Sequence, residues 1–349
     1  MEEKKDAPDM LDLMIRPGFF VKEHHILRLN AAAEGLLLSP GMDIRPLIQS
    51  GLAEYDAFEG GCLYLRLGLT RKGIGACVTR SGDLDVFVLD SEESDSALQA
   101  LSLAARELRE PLATIMVSTG NLEAGNADQL ALLNRGLHQM LRIIGNMSDA
   151  GRMPSASRQE TTDINAVFSE VFEKATTLAE AAGVTIRYQG LDKSVLCLAD
   201  REQLERAVLN LISNSLKFTP AGGTIVARLT RYDNMLRFSI QDSGPGFARN
   251  LLGSAFSRYL RQPCIEEGRF GLGLGMVLVR STAANHGGAV LIDQCEGGGA
   301  RVTMTIAIRQ DTSGMLRSPV LRVDYAGEQD HALVELSDSL PASLYKSKE

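Results

Sequence analysis

Two asparagines and a lysine recur at offsets of four and three in the segment Asn210-Leu-Ile-Ser-Asn214-Ser-Leu-Lys217. On a helix, residues at these offsets place their side chains on one face. Amide oxygens are hard neutral ligands that suit Mg²⁺, and a lysine one turn further on adds a point charge for phosphate groups. A polar stripe on a helix is more often simply solvated, so this segment alone is a weak indication of a phosphate site.

A carboxylate followed by two glycines ends a predicted strand, in Asp242-Ser-Gly244-Pro-Gly246. Glycines permit a tight turn and let a flat base approach the backbone closely. A carboxylate held at the end of a strand can accept a hydrogen bond from an exocyclic amine such as that of adenine. Many turns have this composition, so the motif is weak on its own.

A third motif, Gly268-Arg-Phe-Gly271-Leu-Gly273-Leu-Gly275, opens a predicted helix. Glycines at this position leave backbone N–H groups free, and the helix dipole favours an anion there. The loop before and within the motif carries Arg258, Arg261 and Arg269. Such a loop can close over a nucleotide with its arginines against phosphate. A solvated basic loop is an equal alternative for each arginine.

The elements that must hold these motifs alternate between helices and strands. Periodicity predicts helices near 163–182, 201–218 and 275–286, and strands near 184–190, 194–199, 224–230, 235–242, 289–295 and 301–308. Helices on one face of a mixed sheet is the natural architecture for this order. The sequence therefore predicts one α/β domain over residues 156–310.

In this order and spacing, the three motifs resemble the N, G1 and G2 boxes shared by histidine kinases, gyrase-type ATPases and the heat-shock chaperone ATPase. The resemblance implies ATP and Mg²⁺ as ligands, with Asn214 binding Mg²⁺ and Asn210 assisting. It also implies that Lys217 meets phosphate and that Asp242 reads adenine. The rest of the implied nucleotide site is Gly244, Gly246, Arg258, Gly271, Leu272, Gly273 and Leu274.

This sequence departs from the family pattern at two places around the third motif. Arg269 occupies the first glycine position of the expected G-x-G-L-G-L, and the aromatic pair before the loop is reduced to Phe256, with Gly253 in the other position. The departures put the geometry of the loop and the affinity for nucleotide in doubt. Downstream, His286-Gly-Gly288 matches a further hallmark, and we interpret His286 as structural because Gly287 can cap the preceding helix.

The segment from Ala105 to Leu112 resembles the H box of a sensor histidine kinase, S-H-E-L-R-T-P-L, with Arg106 in the place of the histidine. A phosphoacceptor needs an available lone pair, which neutral imidazole has and a guanidinium lacks. Glu107 matches the acidic residue that helps to deprotonate the histidine, and Glu110 replaces the threonine that positions water. We favour a simple pairing of Arg106 with Glu110 across one helical turn.

Residues 93–155 are predicted to form a helical hairpin. Apolar residues recur at spacings of three and four on both helices, and two such seams need a second hairpin to cover them. The sequence thus predicts a dimeric four-helix bundle, with an intrachain pair packed on a neighbouring domain as the alternative. The seam residues are Leu98, Leu101, Ala105, Leu108, Leu112, Ile115, Thr119 and Leu122 on the first helix, and Leu130, Leu133, Leu137, Met140, Ile144 and Met147 on the second.

Residues 1–92 resemble a PAS sensor domain, because three short alternating runs read as antiparallel strands and Asn30-Ala-Ala-Ala-Glu34 matches a short PAS motif, predicted as a helix cap. Cys62, Cys77, His24 and His25 are candidate ligand contacts there, although core and turn residues are the better interpretation. The tail, 311–349, contains two strand-like runs and is predicted either to dock as a β-hairpin or to remain disordered.

Composition limits the classes of partner. The net charge of -8 argues against a general binder of nucleic acid or anionic membrane. No run of apolar residues is long enough to span a bilayer, and the first ten residues lack the apolar core of a secretory signal. Five scattered cysteines indicate free thiols in a reducing cytosol, so a cytoplasmic location is expected.

Together these features predict an α+β multidomain chain with a PAS-like α/β sensor, a dimerising helical hairpin and a Bergerat-type α/β sandwich that binds ATP. We expect a degenerate histidine kinase that forms a homodimer, or a heterodimer with another histidine kinase, with a response regulator as a further expected partner. One alternative is an active kinase that uses His138, whose more common reading is an exposed helix residue. Another is a plain ATPase of the gyrase or chaperone class. We do not favour it, because no transducer domain is predicted after the ATP site and an H-box remnant precedes that site.

Overall fold

The computed structural model describes residues 16–70, 73–90, 127–151, 159–246, 274–295, 298–310 and 330–346, with Leu11, Met14, Leu108, Pro111, Thr114 and Ile115. For residues 147–151 and 274 it describes the backbone only. Within these ranges, no helix is both long and apolar enough to cross a membrane.

The N-terminal unit is an antiparallel sheet with its own core. Its strands are β1 (Gly18–Lys22), β2 (His25–Leu29), β3 (Ile48–Ser50), β4 (Cys62–Leu67), β5 (Ile74–Ser81) and β6 (Leu84–Leu89), with a short helix α1 (Leu52–Asp56). The order is β2-β1-β6-β5-β4, and β3 pairs with β4. The three strands predicted from alternation, β4 to β6, are confirmed. In its core the rings of Phe19 and Phe87 are stacked, and the ring of Tyr55 meets that of Phe87 edge-on.

Asn30 does not cap a helix, contrary to prediction, because the residues after it form turns. Its buried side chain accepts hydrogen bonds from the backbone N–H groups of Gly18 and Ala33, both at 3.0 Å. It donates to the carbonyls of Arg16, at 2.7 Å, and Met14. The amide therefore ties Met14, Arg16 and Gly18 to the turn, and its bond to the Ala33 N–H is of the capping type although no helix follows.

The second unit is the predicted α/β domain. Its elements are β7 (Glu160–Asp163), α3 (Ile164–Ala181), β8 (Thr185–Gln189), β9 (Leu196–Ala199), α4 (Arg201–Phe218), β10 (Thr224–Tyr232), β11 (Met235–Asp242), α5 (Leu274–Asn285), β12 (Val290–Gln294) and β13 (Ala300–Ala307). The strand order is β12-β13-β11-β10-β8, and β7 pairs separately with β9. Asp163 and Asp200 cap α3 and α4 by accepting backbone N–H groups of their first turns. Helices α3, α4 and α5 pack on one face of the sheet, as predicted.

The two sheets are continuous, which the sequence did not indicate. Strand β4 pairs antiparallel with β12, so that Tyr64 lies opposite Val290 and Cys62 opposite Ile292. The result is one sheet of eleven strands. We call this contact the sheet junction, defined by β4, β12 and the side chains of α1, α5 and β6 that meet across it.

The second predicted hairpin helix is confirmed as α2 (Ala127–Gly151). Pro111 and Ile115 of the first helix lie against Gly136, where an added Cβ would sit 3.4 and 3.3 Å from them. Helix α2 also packs against α5 and against residues 330–346 of the same chain. Three seam residues seven apart nevertheless remain exposed, namely Leu130 (37%), Leu137 (43%) and Ile144 (52%).

The tail differs from the predicted β-hairpin in its described part, residues 330–346, while its first strand-like run lies outside the described residues. Its second strand-like run forms helix α6 (His331–Glu335), followed by turns and a 3-10 helix at Ala342–Tyr345. Asp330 caps α6 by accepting the N–H of Ala332 at 2.8 Å. Residues 330–346, which we call the C-terminal segment, pack between α2 and α4. Alternating apolar residues can serve a short helix as well as a strand, and here the packing against two helices decides.

Candidate nucleotide-binding site

Helix α4 carries the first motif and runs from Arg201 to Phe218, as its sequence predicts. Its apolar positions, including Leu204, Val208 and Leu211, are buried in the core of the domain. Asn210 is fully buried on the same helix, while Asn214 and Lys217 are half-buried. A fully buried amide is not a solvated surface residue. The interpretation of this polar helix face as simply solvated is therefore wrong for Asn210.

The amide of Asn210 is satisfied at one end only. Its Nδ2 donates to the carbonyl oxygen of Arg206 at 2.9 Å and to Oε2 of Glu335 at 3.3 Å. Its Oδ1 has no hydrogen-bond partner among the described residues and lies where a Cβ on Gly275 would come within 2.6 Å. A buried acceptor without a partner costs about 1–3 kcal/mol, so this oxygen calls for a donor or a cation. Mg²⁺, which prefers hard oxygen ligands, fits that requirement.

Asp242 ends β11 on the side of the sheet that faces the helices, since it alternates with the buried Phe238 and Ile240. Its Oδ1 accepts the N–H of Gly244 at 2.9 Å and that of Ala300 at 3.2 Å. Burial raises the pKa of Asp242, and these two N–H groups oppose the rise. Both of these bonds end on Oδ1.

Two glycines allow the second motif to approach α4. A Cβ on Gly244 would lie 2.5 Å from the carbonyl oxygen of Phe218, the last residue of α4. Gly246 has a φ of 75°, a left-handed conformation that L side chains rarely adopt. The predicted role of both glycines in shaping the pocket thus has a steric basis.

The turn between β12 and β13 was not foreseen as part of this region. Gly298 and Gly299 both have positive φ, and a Cβ on Gly299 would collide with the carbonyl oxygen of Asp242. This turn also supplies the Ala300 N–H that Asp242 accepts. The run of three glycines at 297–299 was the available signal.

The third motif is described from Leu274 onward, where α5 begins. Gly275 packs against Asn210, so the structure brings the ends of the first and third motifs together. Arg258, Gly271, Leu272 and Gly273 lie outside the described residues, as do Arg106, Glu107 and Glu110. Their predicted roles stay predictions.

The C-terminal segment adds residues that sequence reasoning missed. Asp338 forms an ion pair with Arg142 of α2, and Lys217 lies near enough to affect its pKa. Burial alone would raise the pKa of Asp338, but Arg142, Lys217 and Arg135 outweigh it and lower that pKa. Glu335 is fully buried and pairs with Arg206. An acid within the apolar run Ala332–Leu336 was the only signal.

His286 is structural, as predicted. The ring is buried, its Nδ1 donates to the carbonyl of Thr282 at 2.7 Å, and its Nε2 accepts the N–H of Asp200 at 3.0 Å. Burial lowers the pKa of His286, which favours the neutral ring that this pattern requires. Gly287 follows with a φ of 71° and ends the helix.

His138 is half-buried, which corrects its prediction as an exposed helix residue. Its Nδ1 donates to the carbonyl of Asn134 at 2.8 Å, and its ring meets that of Tyr345 edge-on at 5.0 Å.

In the N-terminal unit, Cys62 and Cys77 are free thiols 2.7 Å apart. The Cys77 contact and burial raise the pKa of Cys62, so the thiol form is favoured. No cluster of metal-binding side chains occurs among the described residues.

A depression of about 560 Å³ lies on the outer face of the sheet. Its lining includes Arg228, Arg237 and Arg301. Side chains alternate along a strand, so these residues point away from the face that carries the helices. The depression is therefore separate from Asn210 and Asp242.

Comparison with known proteins agrees with this geometry. A family model described as histidine kinase-, DNA gyrase B-, and HSP90-like ATPase matches residues 199–310. Histidine protein kinase DivJ of Caulobacter vibrioides is 28% identical over 242 residues, which are 66% of this chain and 40% of that protein. Adaptive-response sensory kinase SasA of Synechococcus sp. (strain CC9311) is 28% identical over 216 residues, 60% of this chain and 56% of that protein.

Hybrid signal transduction histidine kinase D of Dictyostelium discoideum is also 28% identical, over 60% of this chain and 15% of its own length. Among solved structures, the catalytic domain of histidine kinase ThkA is 20% identical, with a TM-score of 0.39, over 44% of this chain and 97% of that one.

Residues 199–310 therefore form an ATPase domain of the histidine kinase, gyrase and HSP90 class. Beyond this domain, the chain is similar to histidine kinases over 60–66% of its length. It spans between 15% and 56% of the length of these three relatives.

Proposed function

We propose that this chain binds ATP with Mg²⁺ at α4 and serves as a degenerate histidine kinase, without phosphorylating its own H box. The buried, unpaired Oδ1 of Asn210 is the observation that carries the binding proposal. Asn210 and Asn214 would hold Mg²⁺, Lys217 would meet phosphate, and Asp242 would accept the adenine amine. Bound Mg²⁺ supplies positive charge that offsets the phosphates.

The missing acceptor supports the degenerate assignment. Arg106 stands where the H box has histidine, and its guanidinium stays protonated at physiological pH. The alternative acceptor, His138, uses Nδ1 to bond the carbonyl of Asn134 and packs on Tyr345. A plain ATPase would need a base for water, and the amide of Asn210 is not one.

We infer that the N-terminal unit is a PAS-like sensor that acts on the ATP site through the sheet junction. Arg280 of α5 pairs with Asp90 at 3.0 Å and lies over the ring of Tyr64. The same helix begins beside Asn210, at Gly275. A shift of β4 would therefore displace α5, the helix that would border the nucleotide. Such a displacement is the coupling that a sensor requires.

We further propose that α2 pairs with a second hairpin, in a homodimer or with another histidine kinase, and that a response regulator binds that bundle. The stripe of Leu130, Leu137 and Ile144 supports this, because its seven-residue spacing suits a helical partner. A Leu137→Glu variant should be monomeric when light scattering reports a dimer for the wild type. A monomeric wild type at micromolar concentration would contradict the proposal.

The binding proposal is tested by titrating the full chain with a non-hydrolysable ATP analogue and Mg²⁺. Asp242→Ala should lose about 1–3 kcal/mol of binding free energy, because it removes a charged hydrogen-bond acceptor. Arg228→Ala, on the outer face, is the matched control and should bind as the wild type does. Equal affinity for wild type and Asp242→Ala would show that the site is assigned wrongly.

The kinase assignment is tested with γ-labelled ATP. The wild-type chain should carry no acid-labile, alkali-stable label, whereas Arg106→His should gain some, because imidazole would then stand beside Glu107. Such a label on the wild type would overturn the proposal, and its mapping to His138 would establish an active kinase with a relocated acceptor.

A further inference from the structure

The C-terminal segment places a buried carboxylate against the first asparagine of the nucleotide site. Glu335 lies 125 residues from Asn210 in sequence, yet its Oε2 accepts the amide N–H of Asn210 at 3.3 Å. We propose that Glu335 is a positioning residue, which turns the Oδ1 of Asn210 toward Mg²⁺ and the nucleotide. The inference rests on the proposed function, because it concerns the same site.

The chemistry of the amide determines its orientation. The carbonyl oxygen of Arg206 and the carboxylate of Glu335 flank one end of the Asn210 side chain, and both can only accept hydrogen bonds. The NH₂ group must therefore occupy that end, with both of its donors used. The oxygen must face the opposite way, toward Gly275. Without Glu335, one buried N–H loses its partner and the amide has less reason to keep this orientation.

Glu335 is itself held rigidly. Its side chain is fully buried, Nε of Arg206 donates to Oε1 at 3.0 Å, and Nε of Arg142 lies 3.5 Å from Oε2. The Arg206 guanidinium also donates to Asn146 of α2 at 3.0 Å. A buried carboxylate needs such paired cations to stay in place. The arginines come from α2 and α4, so the position of Glu335 depends on how these helices meet.

Further contacts place the segment as a unit. Arg135 donates to the carbonyl of Ser337 at 2.9 Å, Asn134 to that of Tyr345 at 3.0 Å, and Ser339 to that of Ser213 at 3.2 Å. Ser213 is a neighbour of Asn214 in α4. The segment thus bridges the predicted dimerisation helix and the nucleotide helix, and Mg²⁺ affinity becomes sensitive to its docking.

The test measures binding of a non-hydrolysable ATP analogue to the full chain by calorimetry, in excess Mg²⁺ and again in EDTA. Glu335→Gln keeps the shape but can donate to Asn210 and reverse its amide. We expect its affinity in Mg²⁺ to fall by about tenfold or more, as for the loss of partners that orient metal ligands. Affinity in EDTA should be unchanged.

Two further variants make the test specific. Glu335→Asp keeps a charge beside both arginines but withdraws the carboxylate from Asn210 by one methylene, so it should show the same Mg²⁺-dependent loss. Ser337→Ala changes a buried residue of the segment whose hydroxyl donates to the carbonyl of Val334. This variant should lose no Mg²⁺-dependent affinity.

The outcomes separate this inference from the proposed function. A wild type that binds no nucleotide refutes the proposed function and with it the positioning role. A wild type that binds, with Glu335→Gln and Glu335→Asp unchanged, refutes the positioning role alone. Equal losses in Mg²⁺ and in EDTA also overturn it, since they indicate general damage. A gain in affinity would show that the segment obstructs the site.

Discussion

The ATP-binding domain meets the rest of the chain on two sides, and the two contacts are built differently. At the sheet junction, β12 continues into β4 through backbone hydrogen bonds. Elsewhere, α4 meets α2 and the C-terminal segment through buried charged side chains, and we call this contact the helical junction. The first depends on strand edges that most sequences can supply, whereas the second depends on a few specific residues.

Charges are used differently at the two junctions. At the sheet junction, Asp90 is partly exposed (29% of its side chain), so water can replace its partner Arg280. At the helical junction, Glu335 is fully buried beside Arg206, whose side chain is 1% exposed. Removing one partner there leaves a charge that water cannot reach. The helical junction is therefore the more sensitive of the two to a single substitution.

The largest effect is expected for Arg206→Met. The change removes one of the two arginines that face Glu335, and breaking a buried pair typically costs about 3–5 kcal/mol. Urea unfolding monitored by circular dichroism should show the fall in midpoint. Arg201→Met is the matched control on the same helix, because Arg201 pairs with Glu170 in an exposed position. Its loss should stay below about 1 kcal/mol, and equal losses for both arginines would erase the contrast.

A smaller effect is expected for Arg280→Met at the sheet junction. The variant loses the ion pair with Asp90 and the contact with the ring of Tyr64, which together are worth about 2 kcal/mol. Arg237→Met removes an exposed arginine from the ring of Tyr232 and should cost about 0.5–1 kcal/mol. If Arg280→Met destabilised more than Arg206→Met, the two junctions would be ranked wrongly.

Tyr232→Phe should have a modest effect. The phenol of Tyr232 donates to Glu54 of α1 at 2.6 Å, which joins β10 to the N-terminal unit. Its loss should cost about 0.5–1.5 kcal/mol, the usual net value of one hydrogen bond. Thermal unfolding measures the change, with Tyr188→Phe as the control, since Tyr188 stacks on Phe172 away from either junction. A neutral result would leave the backbone pairing as the main contribution of this junction.

The smallest effect concerns pH and α5, the helix that contacts both junctions. Burial lowers the pKa of His286, so its contribution to stability is complete above the unfolded value near 6.5 and is lost as pH falls. Between pH 7 and pH 6 the wild type should lose at most about 0.7 kcal/mol through this residue. His286→Gln should remove that part of the pH dependence. An unchanged slope in the variant would assign the acid sensitivity to another group.

Local patterns predicted the nucleotide helix and its surroundings. Asp200 marks the start of α4 and the apolar spacing its length, because capping and periodicity act between residues close in sequence. The order of the three motifs predicted that Asn210, Asp242 and Gly275 belong to one region, and the packing of Gly244 and Gly275 on α4 agrees. The replacement of the H-box histidine by Arg106 is likewise determined by the sequence alone.

Tertiary structure decided the two junctions. Pairing between strand edges uses backbone groups and does not require particular side chains. The sequence therefore contains no pattern that predicts the pairing of β4 with β12. The run Ala332–Leu336 suited a strand or a helix, and packing between α2 and α4 made it helical. The bond between Glu335 and Asn210 joins residues 125 positions apart. A single acid in an apolar run has no local signature of its partner, because burial and charge pairing arise only once distant helices have met.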